Sequence, residues 1–123
     1  MHRILVVDDE RDIAAILAEV LEMAGYAVAC AYNGMEALIH MEENGIPDLV
    51  IADLRMPVMS GRTLVETMRS QPRTAKTPII LITGTVPGTD DFPPSETYNE
   101  LIVKPFDIGH VAATVANCIQ GSI

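Results

Sequence analysis

Short apolar runs, separated by stretches of helical periodicity, constrain this chain more than any other feature. Residues 3–7 read Arg-Ile-Leu-Val-Val, 48–52 Asp-Leu-Val-Ile-Ala and 78–82 Pro-Ile-Ile-Leu-Ile. A strand with one wet face alternates apolar and polar residues, whereas an unbroken run belongs in a sheet covered on both faces. Residues 26–31, Tyr-Ala-Val-Ala-Cys-Ala, make a weaker run suited to a place nearer an edge, and 101–103 a short fifth one. After the first run, Ile13, Ile16, Leu17, Val20, Leu21 and Ala24 recur at helical spacing, and Gly25 is placed to stop that helix. Asn33 can cap a second helix carrying Ala37, Leu38 and Met41 and closing near Gly45. Leu64, Val65 and Met68 mark a third, after a loop over 54–61. Asp107 can cap a last helix with a buried face of Ile108, Val111, Ala112, Val115 and Ile119. Strand and helix in alternation predict an α/β fold, a parallel sheet with helices on both faces.

The alternation weakens once. Residues 85–100 hold Pro87, Pro93 and Pro94, four acids (Asp90, Asp91, Glu96, Glu100) and no base, and read as irregular with at most a short helix around 95–99. Nothing else interrupts the pattern, so 123 residues with a 49% hydrophobic share are expected to form one domain over 1–123.

Charge narrows the function classes. Seventeen acids against eight bases leave a formal charge of -9, which argues against direct contact with nucleic acid or anionic lipid, both of which need a basic footprint. No apolar run is long enough to span a membrane and the start of the chain lacks a signal-peptide pattern, so the expected location is the cytoplasm. Cys30 and Cys118 are then expected to stay reduced, as small core residues.

In open parallel sheets, ligands bind beyond the carboxyl ends of the strands. Those ends read Asp8 and Asp9, then Asp53, then Thr83, then Lys104. Each has a plain structural explanation: the acids Asp8-Asp9-Glu10 favour the start of the first helix, a lone Asp caps a turn, Thr is a good strand former, and a lysine can lie along the surface. Their joint occurrence at successive strand ends is what those explanations leave out. Converging carboxylates repel unless a cation joins them, and Mg2+ suits an all-oxygen set that leaves room for a phosphate oxygen. Lys104, one of two lysines, adds a compact charge, and Thr83 adds a hydroxyl. Together they describe a site for a phosphoryl group beside Mg2+. Asp8 and Asp9 suit the cation. Asp53, alone at the end of the central run, suits nucleophilic attack on phosphorus.

These residues resemble the receiver domain of two-component response regulators over essentially the whole chain. The matching motifs are Ile4-Leu5-Val6-Val7-Asp8-Asp9, Asn33-Gly34-Met35-Glu36-Ala37-Leu38 and Asp48-Leu49-Val50-Ile51-Ala52-Asp53. They continue with Met56-Pro57, Ser60-Gly61, Ile80-Leu81-Ile82-Thr83-Gly84 and Val103-Lys104-Pro105-Phe106. The resemblance implies a flavodoxin-like five-stranded sheet of order 2-1-3-4-5, which periodicity alone does not specify. It implies that Asp53 accepts a phosphoryl group from a phosphohistidine of a sensor histidine kinase or histidine phosphotransfer protein, and so switches binding of an output partner. Asp8, Asp9, Asp53 and the backbone carbonyl of Arg55 would hold Mg2+; Thr83 and Lys104 would each bind a phosphate oxygen. A cis Lys104–Pro105 peptide is also implied. On this reading the chain is not an enzyme beyond its own phosphoryl transfer and hydrolysis.

Two features depart from the family. Receivers usually carry Tyr or Phe three residues before the lysine, and here that residue is Leu101, with Tyr98 the nearest aromatic upstream. The family's fourth helix falls within the Pro- and acid-rich 85–100 stretch, so ordering of that stretch is an expected substitute for ring movement. Two alternatives stand beside the phosphoacceptor. One is a phosphorylation-independent, receiver-like interaction module. The other is a Mg2+-dependent phosphohydrolase of the haloacid-dehalogenase kind, which would need a second Asp where this chain has Arg55.

Overall fold

A computed structural model describes residues 1–84 and 92–120. Five parallel strands, β1 (Arg3–Val7), β2 (Ala27–Ala31), β3 (Leu49–Asp53), β4 (Ile79–Thr83) and β5 (Glu100–Val103), form one sheet in the order β2-β1-β3-β4-β5. Among the described residues four helices alternate with them: α1 (Arg11–Met23), α2 (Gly34–Asn44), α3 (Gly61–Ser70) and α4 (Ile108–Gln120). Strand limits differ from the sequence reading by a residue at most ends, as expected where ladders fray.

Side chains on a strand alternate between faces, and the core divides accordingly. Ile4, Val6, Leu49, Ile51, Ile80, Ile82 and Ile102 meet Ala14, Leu17 and Leu21 of α1 and Val111 and Val115 of α4. Leu5, Val7, Val50, Ala52, Ile79 and Leu81 meet Ala37 and Met41 of α2 and Leu64, Val65 and Met68 of α3. Every residue of β3 and β4 is buried, while β2, at one edge, is mostly half-buried. Unbroken apolar runs therefore mark the interior of the sheet and the weaker run marks its edge.

Local chemistry sets the helix ends. The Asn33 side chain accepts from Glu36 N–H and Glu36 accepts from Tyr32 N–H, each at 2.9 Å. Ser60 Oγ accepts from Thr63 N–H at the start of α3, and Asp107 Oδ1 accepts from Gly109 N–H at the start of α4. Gly25 and Gly45 follow α1 and α2 with φ of +100° and +90°, where a Cβ is unfavourable.

Several expected burials are corrected. Ile108 is exposed, and Ala112 and Ile119 are only half-buried; Thr114 is buried in the α4 face instead, its hydroxyl donating to the His110 carbonyl. Cβ bonds tilt toward a helix N-terminus, so a residue in the first turn points past the sheet it would cover. Ile16 and Ala24 are also exposed: Ile16 lies about 120° round the helix from the Ala14–Leu17–Leu21 face, and Ala24 is the cap. Cys30 and Cys118 are free thiols, half-buried against the α1–α4 side of the core.

Of the 85–100 stretch, residues 85–91, with Pro87, Asp90 and Asp91, lie outside the described residues. Beyond them stands a single 3-10 turn, Ser95–Thr97, close to the short helix expected there. Arg69 ties it to α3, donating to the carbonyls of Thr97, Thr74 and Ala75 at 2.8–3.1 Å, and Asn99 exchanges hydrogen bonds with the Ile79 backbone. Among the described residues no helix is long and apolar enough to cross a membrane.

Candidate functional site

The carboxyl ends of β1, β3, β4 and β5 converge, and the sheet register explains how. Val7 pairs with Ala52, so Asp8 and Asp53 stand at one level; Asp53 pairs with Ile82 and Thr83 with Val103, so Thr83 lies one residue and Lys104 two residues further along the same end of the sheet. Lys104 N–H donates to the Thr83 carbonyl at 2.7 Å, fixing the last step of that row. The Lys104–Pro105 peptide is cis, as the resemblance implies.

Lys104 Nζ sits among three carboxylates, 3.5 Å from Asp53 Oδ2, 3.5 Å from Asp8 Oδ2 and 3.3 Å from Glu10 Oε1. Asp8 is 2% exposed and Asp53 7%, whereas Glu10 opens to solvent. One oxygen from each of the three lies within 4.8 Å of the others. Asp8 is further held by accepting from Glu10 N–H at 2.9 Å.

Asp9 is exposed and is not one of these three; Glu10, which the motif reading left as a helix-start acid, is. The signal was its spacing. Near a strand end, residues i and i+2 share a side, so Glu10 follows Asp8 and Asp9 turns away. Arg55 is exposed in the loop after β3 and Thr83 is buried at the end of β4.

One ammonium does not balance this many carboxylates. Burial, and then the neighbouring Asp8 charge, push Asp53 up to about 6 against the opposing pull of Lys104. Burial likewise raises Asp8. Burial draws Lys104 down, but the Asp53 and Asp8 charges outweigh it and hold the ammonium above its usual range. A buried oxygen set with an excess of negative charge fits a hard divalent cation such as Mg2+.

The loop from β3 to α3 holds Asp53 in place. Gly61 packs directly on the end of β3, and its N–H donates to the Leu54 carbonyl at 2.8 Å. Gly34, at the start of α2, donates to the Met59 carbonyl at 3.0 Å, joining the loop to α2. Val58, at the tip, is 81% exposed with φ +68°, a left-handed conformation that is costly for a β-branched residue. Asparagine tolerates it better, so Val58→Asn is expected to stabilise the fold by about 1 kcal/mol. A urea midpoint that rises with an unchanged slope checks this; an unchanged or lower midpoint contradicts it.

Comparison with known proteins agrees with this geometry. The family model for the response regulator receiver domain matches residues 4–116. The chain is 33% identical to the regulatory protein AtoC of Escherichia coli (strain K12), over 98% of this chain and 26% of that protein. It is 30% identical to the transcriptional regulatory protein CpxR of the same organism, over 99% of this chain and 51% of that protein. The chain thus spans about half, or less, of the length of these curated relatives. Among solved structures, the signal receiver domain of a signal transduction histidine kinase from Syntrophus aciditrophicus superposes with a TM-score of 0.89 at 31% identity, over 99% of this chain and 92% of that one. The response regulator protein TrrA of Thermotoga maritima, solved in complex with Mg(2+)-BeF, gives 0.83 at 35%, over 96% of this chain and 99% of that one. By motif, fold and family model, this chain belongs to the response regulator receiver domains.

Proposed function

We propose that this receiver domain is a phosphoacceptor: Asp53 takes a phosphoryl group from the phosphohistidine of a sensor histidine kinase or histidine phosphotransfer protein, and the change alters binding to an output partner. The observation that carries the reading is the convergence of Asp53, Asp8 and Lys104 at the buried strand ends, with Lys104 Nζ 3.5 Å from both carboxylates. An Asp53 oxygen attacks phosphorus, the phosphorus–nitrogen bond to the donor imidazole breaks, and its electron pair returns to the ring. The aspartyl carboxylate needs no base to activate it. Lys104 and Thr83 each bind a phosphoryl oxygen, positioned before the reaction begins. Asp8, Asp9, Asp53 and the Arg55 carbonyl are the groups that would hold Mg2+, which when bound neutralises charge on the phosphoryl oxygens. The domain acts in the cytoplasm and turns over no substrate beyond its own phosphoryl group.

Incubation with acetyl phosphate and Mg2+ is expected to add the mass of one phosphoryl group, stable in acid and lost in base, and chelation of the metal is expected to prevent it. A protein that stays unlabelled contradicts the proposal. It would favour a second reading, a receiver-like module that binds partners without phosphorylation, for which Leu101 speaks. Leu101 and Tyr98 are half-buried against the α2–α3 side of the core, where an aromatic would otherwise follow the phosphoryl group.

A further inference from the structure

We infer that Glu10 is a resting-state occupant of Lys104: its carboxylate holds the ammonium that the phosphoryl group must take over, and phosphorylation of Asp53 releases Glu10 to solvent at the start of α1. The inference rests on the phosphoacceptor reading and adds to it a residue that the motifs do not name.

Three observations carry it. Glu10 Oε1 lies 3.3 Å from Lys104 Nζ, slightly nearer than the oxygens of Asp8 and Asp53. Glu10 occupies the N-cap of α1, yet its side chain makes no cap hydrogen bond there. A residue at that place ordinarily accepts from the first turn of its own helix, and Glu10 instead reaches across to Lys104. Third, the three carboxylates differ in freedom: Asp8 and Asp53 are buried, whereas the Glu10 side chain is 62% exposed. When a dianionic phosphoryl group competes for one ammonium, the exposed partner is the one that leaves without burying an unpaired charge.

The consequence reaches beyond the pocket. A freed Glu10 carboxylate at the head of α1 becomes available to the first-turn amides of that helix, and it adds negative charge beside Arg11, whose guanidinium stacks on Tyr32 at 3.8 Å. Glu10 is therefore a positioning residue for Lys104. Its release supplies a local signal of phosphorylation that does not use the missing aromatic at Leu101.

Two variants separate the contact from mere charge. Glu10→Gln removes the charge; Glu10→Asp keeps it but is one methylene shorter, and favours capping α1 over reaching Lys104. Both are expected to bind beryllofluoride in the presence of Mg2+ about threefold more tightly than the wild type, a modest gain because a partly exposed ion pair is weak. In the metal-free protein both should shift the NMR resonances of the Lys104 ε-methylene, and beryllofluoride should move the wild-type Glu10 carboxylate carbon to the position of a solvated glutamate. Tighter binding in Glu10→Gln alone, or an unmoved Glu10 carbon in a beryllofluoride-bound wild type, overturns the proposal and leaves the phosphoacceptor reading standing. A wild type that does not bind beryllofluoride counts against the phosphoacceptor reading. An unshifted Lys104 in both metal-free variants then overturns the contact itself.

Discussion

Asp53→Asn is expected to stabilise the metal-free protein at pH 8 by about 2 kcal/mol, raising its thermal midpoint by roughly 6–10 °C, while abolishing phosphoryl labelling. Asp53 titrates near 6 in the folded protein because burial and the Asp8 charge disfavour its carboxylate. In the unfolded chain it titrates near the ordinary aspartate value of 3.8. Between those values the folded state holds more protons than the unfolded one, so stability falls as pH rises from about 4 through about 6. Above that window the folded protein carries the full cost, on the order of 3 kcal/mol, and below it none. Asparagine keeps the shape and removes the charge. Part of the gain is offset because Lys104 loses a partner, although Asp8 and Glu10 remain beside it. Thermal melts of both proteins in chelator at pH 4 and pH 8 check the prediction: the difference should be large at pH 8 and nearly gone at pH 4. A variant less stable than the wild type at pH 8 contradicts it. Mg2+ should narrow the difference at pH 8, since a ligand that binds the folded wild type alone stabilises it by mass action.

The second large effect comes from a group with no chemistry at all. A Cβ placed on Gly61 would lie 2.3 Å from the Asp53 carbonyl oxygen and 2.8 Å from the Leu54 Cα. Both obstacles are backbone. Asp53 ends a central strand bonded to β1 on one side and β4 on the other, so the strand cannot give way. Helix α3 must retreat, stretching the Gly61 N–H bond to the Leu54 carbonyl and the Ser60 cap. Gly61→Ala is expected to cost about 3 kcal/mol or more in stability and to slow labelling of whatever remains folded, because the loop that positions Asp53 shifts with the helix. Gly84→Ala is the control: among the described residues nothing lies within 4 Å of the added Cβ, and its effect should stay within about 0.5 kcal/mol. Denaturant unfolding of the two variants decides the matter. Equal stabilities would mean that the close approach of α3 to β3 is wrong.

These predictions rest on features that the sequence made legible to different degrees. β1, β3 and β4 were readable because burial on both faces leaves an unbroken apolar run, and the caps Asn33 and Asp107 stand where a side-chain acceptor meets free amides. Strand order was not readable from periodicity, which states that a strand is covered but not by which neighbour it is flanked; it came with the family resemblance. Ile16 and Ile108 show the limit of helical spacing: the period fixes a stripe, and whether the sheet extends beneath each turn of it depends on tertiary placement.

The site divides in the same way. Asp8, Asp9, Asp53, Thr83 and Lys104 were named by looking where parallel sheets bind ligands; the fold sets Lys104 against Asp8 and Asp53, buries Thr83 at the end of β4 and leaves Asp9 exposed. Glu10 was passed over because an acid at a helix start already has an explanation. Its spacing from Asp8 puts it on the same side, but the length of its reach to Lys104 depends on the turn between β1 and α1, which spacing alone does not fix. The segment with Pro93 and Pro94 breaks the helical pattern, and no spacing rule foretells that Arg69 would fasten it through three backbone carbonyls.

In the proposed reaction Asp53 itself carries the phosphoryl group. Borohydride reduces an aspartyl phosphate to homoserine, which marks the acceptor permanently. After treatment with acetyl phosphate and Mg2+, reduction and peptide mass mapping should find homoserine at residue 53 and nowhere else, with none when the metal is chelated. Homoserine at Asp8 or Asp9, or a labelled protein with residue 53 still aspartate, would contradict the assignment.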